Sequence, residues 1–458
     1  MKKLLLSAAA LALCPALICA PAIAESPPPA DRAEQALRSD EIAWDITEGL
    51  TTEIGPRMPG TAAEARARVW ALAKLRSLGL KNVREEAFKM PTWIRGEEKA
   101  QITAPYPQPL VLTALGNSGS TGAAGIEAEM VYFASYDDLV AVPAGSVKGK
   151  IVFVDNYMQP TQDGSHYMSA GMARFRGPAV ASKKGAAAII VRSIGTSHDR
   201  VGHTGNTSFA DGETPIPAAA LSAPDADNLR RMVERARSAI RIKLKLTPRF
   251  IGEQISGNII AEIPGRDRSL PLILVACHLD SWDLGTGAID DASGCGIVTA
   301  AALYATKDEQ PLRTIRILWA GAEEVGVWGG ASYSKANRDV PHALAMESDF
   351  GADRVWRAEY RLHESAKPLE NKINASLARF GVVPSNIVAG GGADIGPVIV
   401  SQKLAVIDLQ QDGTRYFDLH HNANDTLDKV DKAQLRQNVA AWTVVLGEVA
   451  NYPGVLKP

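Results

Sequence analysis

Apolar side chains recur every three to four positions in two early stretches, Ala33 to Leu50 and Ala62 to Leu78, and each stretch predicts an amphipathic helix. Gly79 closes the second in the manner of a C-terminal cap. Between them, Ile54-Gly55-Pro56-Arg57-Met58-Pro59-Gly60-Thr61 is dense in turn formers and reads as a fixed loop. From about Thr92 to Phe250 the texture changes. Short β-branched runs such as Glu129 to Phe133 and Lys150 to Val154, separated by Gly, Pro and Ser, predict a compact, mostly β insert. Within it, a helix at Ala179 to Lys184 leads into a buried strand ending at Val191. Beyond Gly252 near-continuous apolar strands alternate with helices: Leu270 to Ala276 with Ala292 to Ala305, Thr314 to Ala320 with Gly330 to Asn337, then Ala343 to Glu347. Strands apolar at every position are buried on both faces, so an α/β fold is expected, its mostly parallel central sheet covered by helices on both faces. The chain divides accordingly into residues 25–91 and 251–458, one discontinuous unit, and an inserted β-rich unit, 92–250.

Composition narrows the class. The 458 residues are 22% charged and 46% apolar, which excludes disorder, collagen and coiled coil. Lys2 and Lys3, an apolar run from Leu4 to Ala20 and then Ala22-Ile23-Ala24 follow the order of a secretory signal cleaved after Ala24, so a secreted or periplasmic protein is expected. Removing that segment takes away two lysines and no acids, moving the formal charge from -2 to -4. Such a balance points to neither nucleic acid nor an anionic membrane, and no later stretch is apolar enough to span a bilayer. A homodimer is left open. Cys14 and Cys19 fall in the signal-like segment, and two remaining cysteines make no disulfide framework. Whether Cys277 and Cys295 are free or bridged is undecided by sequence, and strand alternation turns Cys277 away from its neighbour His278, as a buried strand residue.

In a parallel sheet, ligands bind beyond the carboxyl ends of the strands, where loops converge. The polar residues gather there. The first strand runs into Cys277-His278-Leu279-Asp280, a helix start carries Asp290-Asp291-Ala292-Ser293-Gly294, the second strand ends in Ala322-Glu323-Glu324, and the third in Glu347-Ser348-Asp349. Late in the chain comes His420-His421-Asn422-Ala423-Asn424-Asp425-Thr426. Taken singly, each piece has a plainer reading as a structural histidine, a helix N-cap or a solvated acidic pair. Together they form a site for divalent metal, because unpaired carboxylates at that density repel one another. Imidazole mixed with carboxylate suits zinc, and two imidazoles with three carboxylates exceed what one tetrahedral zinc needs, so two ions sharing a carboxylate fit better. Two other features carry less. Gly390 to Pro397 lacks the Lys-Ser/Thr of a phosphate loop, and Asp394 within it reads as structural. The segment Thr196 to Thr204, with His198 and His203, reads as a surface loop.

This series of motifs in register resembles the co-catalytic bizinc aminopeptidase/carboxypeptidase family, in particular its plasma glutamate carboxypeptidase (carboxypeptidase Q) branch with an inserted protease-associated domain, and the similarity covers nearly all of the chain after the signal. The resemblance implies two zinc ions per chain: His278 and Asp349 on one, Glu324 and His421 on the other, Asp290 bridging. It implies Glu323 as general base and Asp280 as the carboxylate that orients His278. Asp291 stands where many relatives have Asn, adding a charge near the metals. The implied activity is hydrolysis of dipeptides or short peptides through a metal-activated water. Aminopeptidase or dipeptidase is the leaning, with carboxypeptidase the alternative, because the pocket decides between them. A non-catalytic, transferrin-receptor-like binding module predicts missing ligands, and single-zinc glutaminyl cyclase relatives need fewer; here all five are present. No implied ligand falls inside the insert, so excising it is expected to leave the metal site in place.

Overall fold

The computed structural model describes residues 28–458, so the signal-like segment lies outside the described residues. The first apolar stretch forms two helices, Pro29–Ser39 and Ile42–Gly49, where one continuous period was expected. Asp40 breaks it: its carboxylate accepts the backbone N–H of Ile42 and of Ala43, both at 3.1 Å, which caps the second helix at the expense of continuing the first. The second stretch is helical over Ala62–Ser77, starts at the N-cap Thr61, and is followed by Gly79 at φ +81°.

Among the described residues, eight strands make the main sheet: β1 (Lys81–Ile94), β2 (Arg249–Ile263), β3 (Leu272–His278), β4 (Ile315–Ala320), β5 (His342–Glu347), β6 (Val355–Arg361), β7 (Val383–Pro384) and β8 (Ala405–Gln411). Their order is β1-β2-β4-β3-β5-β8-β6-β7. The centre, β4-β3-β5-β8, is parallel, and β1, β2 and β6 join antiparallel at the flanks. Alternation along β3 separates two cores, as a strand's period of two requires. Ile273, Val275 and Cys277 pack with helices Ile42–Gly49, Ser293–Ala305 and Lys432–Val449. Leu272, Leu274 and Ala276 pack on the other face with Tyr333, Val398 and Ile399, from helices Trp328–Ala336 and Gly396–Gln402. Helices on both faces explain the uninterrupted apolar strands.

The insert is more helical than its sequence suggests. Its own eight-stranded sheet lies between Glu98 and Leu246, and strands Ile126–Phe133, Ile151–Val154, Ala188–Arg192 and Ala218–Leu221 run parallel at its centre. Three helices connect them, Tyr136–Ala141 between the first pair and Tyr167–Phe175 and Gly177–Lys183 between the second, because parallel neighbours need crossovers. The expected limits Thr92 and Phe250 both fall inside the antiparallel β1/β2 ribbon, in which Trp93 pairs with Phe250. The insert's core continues into the rest of the chain through Met58, Trp282, Ala322 and Val325.

Cys277 and Cys295 form a disulfide that joins the end of β3 to the first turn of the helix behind it. It closes the loop that carries His278, Asp280 and Asp290. Constraining an unfolded loop of this length stabilises by about 3 kcal/mol. The double variant Cys277→Ala/Cys295→Ala is therefore expected to unfold at a clearly lower urea midpoint, with about that loss in stability.

Candidate metal centre

His278 ends β3, fully buried, with its Nε2 3.0 Å from Asp290 Oδ1 and 3.3 Å from Asp349 Oδ1. Its Nδ1 lies 3.1 Å from the backbone carbonyl of Asp280, so the neutral ring would keep its proton on Nδ1 and turn the lone pair of Nε2 to the cluster. Asp349 follows β5. Asp290 sits in the tight turn Ala288–Ala292 at the head of helix Ser293–Ala305. Its second oxygen, Oδ2, is 3.4 Å from His421 Nε2, and that same nitrogen is 3.0 Å from Glu324 Oε2. Asp290 thus stands between two His–carboxylate pairs. His420 stacks on His421 at 3.4 Å between ring centroids, with its Nε2 3.7 Å from Asp290 Oδ2 and no carboxylate of its own comparable to Glu324. His421 takes a left-handed backbone, φ +61°, which turns its ring toward the cluster at a conformational cost.

Asp280 departs from its expected geometry. Its carboxylate accepts the backbone N–H of Glu323 at 3.1 Å and of Glu324 at 3.2 Å, and stands 3.9 Å from His278 Nδ1. The side chain holds the Glu323-Glu324 turn, while its own carbonyl is the nearer partner of the imidazole. Asp291 is fully buried and accepts from the backbone N–H of His278 and of Gly294, each at 3.1 Å. Asp394, also fully buried, accepts from Gly330 N–H at 3.2 Å, a structural contact as expected, and Gly391, Gly392 and Ala393 line the pocket.

The electrostatics are those of a cluster that wants a cation. Burial, then the charge of Asp290 and Glu323, pushes the Glu324 carboxyl well above the usual range. Burial and the surrounding carboxylates do the same to Glu323 and Asp291. Burial alone would lower His278, but Asp349, Asp290 and Asp291 outweigh it and hold that ring well above its ordinary value. Burial pushes His421 down to about 3, keeping it neutral. Three buried oxygens, Asp290 Oδ2, Glu324 Oε1 and Asp349 Oδ1, have no hydrogen-bond donor among the described residues. Buried polar atoms are normally paired, and unpaired lone pairs converging with two imidazole nitrogens are the donor set a divalent ion takes. The residues present fit the metal that the sequence implied.

Above the cluster opens a cavity of about 580 Å³. Its walls come from both units: Tyr167, Arg174 and Phe175 from the insert, and Phe350, Tyr416 and Phe417 from the main unit.

Several supporting residues were not legible as such. Asp425 accepts the backbone N–H of Ala288 at 2.7 Å and of Ile289 at 2.8 Å, which fixes the turn bearing Asp290; its motif was visible, its task was not. Arg57 is fully buried and donates to the carbonyls of Leu279 (2.6 Å), Thr286 (2.6 Å) and Gly287 (2.9 Å). A lone arginine in an otherwise apolar, proline-bracketed turn was the available signal. Arg57→Met leaves three carbonyls, two of them buried, without that donor and is expected to cost about 3 kcal/mol or more, read as a lower melting temperature. His203, expected on a surface loop, is buried, and only His198 of that segment's two histidines is exposed.

Residues 258–446 match Peptidase family M28. Carboxypeptidase Q of Bos taurus is 32% identical over 412 residues, covering 89% of this chain and 85% of that protein. Aminopeptidase YwaD of Bacillus subtilis strain 168 is 27% identical over 410 residues, covering 86% and 81%. The crystal structure of a Peptidase M28 precursor from Shewanella amazonensis SB2B superposes with a TM-score of 0.90 at 42% identity, covering 94% of this chain and 98% of that one.

Proposed function

The chain belongs to peptidase family M28 and is a zinc-dependent exopeptidase, and we propose that it hydrolyses dipeptides or short peptides with two zinc ions per chain, as an aminopeptidase or dipeptidase. One observation carries the two-ion reading: the two oxygens of Asp290 face different His–carboxylate pairs, at 3.0 Å from His278 and 3.4 Å from His421. On this reading His278 and Asp349 would hold one zinc, Glu324 and His421 would hold the other, and Asp290 would serve both. When bound, zinc supplies Lewis-acid activation of the attacking water and of the scissile carbonyl. Glu323 is the general base. It lines the cavity next to the ligand Glu324, and a carboxylate outside the ligand set takes a proton and passes it to the leaving amine. Asp280 positions both glutamates through their N–H groups.

The carboxyl groups of Asp163, Glu347 and Asp408 in the cavity wall offer acceptors for a substrate that presents a free α-amino end. A carboxypeptidase reading is favoured by a different observation. Arg174 stands in the cavity wall, its guanidinium held by the Thr204 carbonyl and the Tyr167 hydroxyl, and its positive charge suits a substrate carboxylate. Dialysed protein, with and without added zinc, given dipeptides blocked at one end or the other, separates these readings. An aminopeptidase cleaves the C-blocked set, a carboxypeptidase the N-blocked set, and a dipeptidase neither. Cleavage that survives without zinc would remove the metal from the reaction. Export to the periplasm or medium is part of the proposal, supported by the signal-like order of residues 1–24 and by the Cys277–Cys295 disulfide, a bond kept in oxidising compartments. Among the described residues no helix is long and apolar enough to cross a membrane.

A further inference from the structure

The insert does more than roof the cavity. Its segment 193–207 lies along residues 416–424 of the main unit, and hydrogen bonds link the two. Thr196 donates from N to Phe417 O at 3.1 Å and from Oγ1 to Asp418 Oδ1 at 2.7 Å. Thr204 N donates to His421 O at 2.9 Å, and Asn424 Nδ2 donates to Asp199 Oδ2 at 2.7 Å. His203 bridges the centre, its Nδ1 2.8 Å from His420 O and its Nε2 3.0 Å from Asn422 Nδ2. That pairing needs the neutral ring with the proton on Nδ1, donating to a carbonyl while Nε2 accepts from an amide. The ring packs so closely on Gly195 that any side chain there would collide with it, at 2.4 Å.

The contact that matters for the metal is the last one. His421 Nδ1 points at the backbone carbonyl of Thr204, 3.3 Å away, while its Nε2 faces Glu324 and Asp290. A ligating imidazole is oriented, and its tautomer fixed, by whatever accepts from its other nitrogen. For His278 that acceptor is local, the carbonyl of Asp280. For His421 it comes from the insert. We infer that segment 193–207 is the outer support of the His421 zinc site, with the Thr204 carbonyl as acceptor for the ligand's Nδ1–H and His203 as the positioning residue that holds the two segments in register. This rests on the assignment of His421 as a ligand. It also revises the expectation that the insert is dispensable for metal binding: no ligand lies in it, yet one ligand's orientation does.

The test measures zinc affinity on the full-length protein by competition with a chromophoric chelator. Outer-shell partners are worth about 10- to 100-fold in metal affinity. His203→Ala is expected to weaken one zinc by about that factor and to leave the other within about threefold. His203→Asn, whose amide nitrogen can donate where Nδ1 does, should restore most of the loss. In His421→Ala, which on the proposed assignment keeps one zinc, adding His203→Ala should leave that zinc's affinity unchanged. Should His203→Ala not fold, Thr196→Val at the rim of the same contact is expected to weaken the same zinc by a few fold. Equal weakening of both ions, no weakening of either, or failure of His203→Asn to restore affinity overturns the inference. Retention of both ions by His421→Ala overturns the ligand assignment instead.

Discussion

Glu323→Gln is expected to lose about 10²- to 10⁴-fold in turnover, the usual worth of general acid–base catalysis, while folding normally and binding two zinc ions. The substitution keeps shape and volume and removes only the capacity to take a proton. The turn itself should persist, because Asp280 holds it through the backbone N–H groups of residues 323 and 324, which the change does not touch. Glu324→Gln is the contrast. Its Oε2 lies 3.0 Å from His421 Nε2, so on the proposed assignment this variant weakens a ligand and should lower zinc occupancy at one site. Turnover and zinc content measured on both variants separate a base from a ligand one residue apart. Near wild-type turnover of Glu323→Gln with both metals bound would exclude it as the base.

Removal of a proposed ligand should be as severe. His278→Ala and His421→Ala are each expected to abolish measurable turnover and to lose about one of two zinc ions, while the purified parent holds two. His420→Ala should keep both. The structure sharpens this last contrast, because the two rings are stacked and both reach toward Asp290, at 3.7 Å for His420 and 3.4 Å for His421, yet His421 alone of the two also meets Glu324. A parent protein with one zinc and full activity would defeat the two-ion reading, and loss of zinc from His420→Ala would show that the ligand was chosen from the wrong side of the pair.

The candidate site was legible because each of its residues closes an apolar strand or opens a helix, so one-dimensional pattern and three-dimensional convergence coincide. His278, Glu324 and Asp349 stand at or just beyond the ends of three neighbouring parallel strands, and that adjacency brings them together. What supports them was not legible. Arg57 serves carbonyls more than two hundred positions away, and backbone carbonyls carry no sequence signature. The same holds for Thr204, whose side chain says nothing of the carbonyl that faces His421. His203 looked like a loop histidine because its neighbours are Gly and polar residues; its burial comes from a second segment packing over it. The disulfide was half visible. Alternation turned Cys277 toward the face that helix Ser293–Ala305 covers, but pairing it with Cys295 required the helix phase. The helical content of the insert was hidden because its crossover helices are short: Tyr167–Phe175 has nine residues with Gly171 in the middle, too few for a clear helical period.

The β1/β2 ribbon carries a consequence for how the molecule comes together in time. β1 leaves the ribosome long before its partner: Trp93 pairs with Phe250, and the whole second sheet with its helices lies between them. Closing so distant a contact is slow, whereas a unit with its own core can collapse meanwhile. The insert therefore has time to fold as a knot of structure that draws the two arms of the ribbon together. Residues 28–80, with Arg57 among them, must wait for strands made after Phe250 before they find the Leu279 and Thr286 carbonyls. Assembly of the metal pocket is thus a late event in biogenesis, arriving only after the chain has returned from the excursion that its middle third makes.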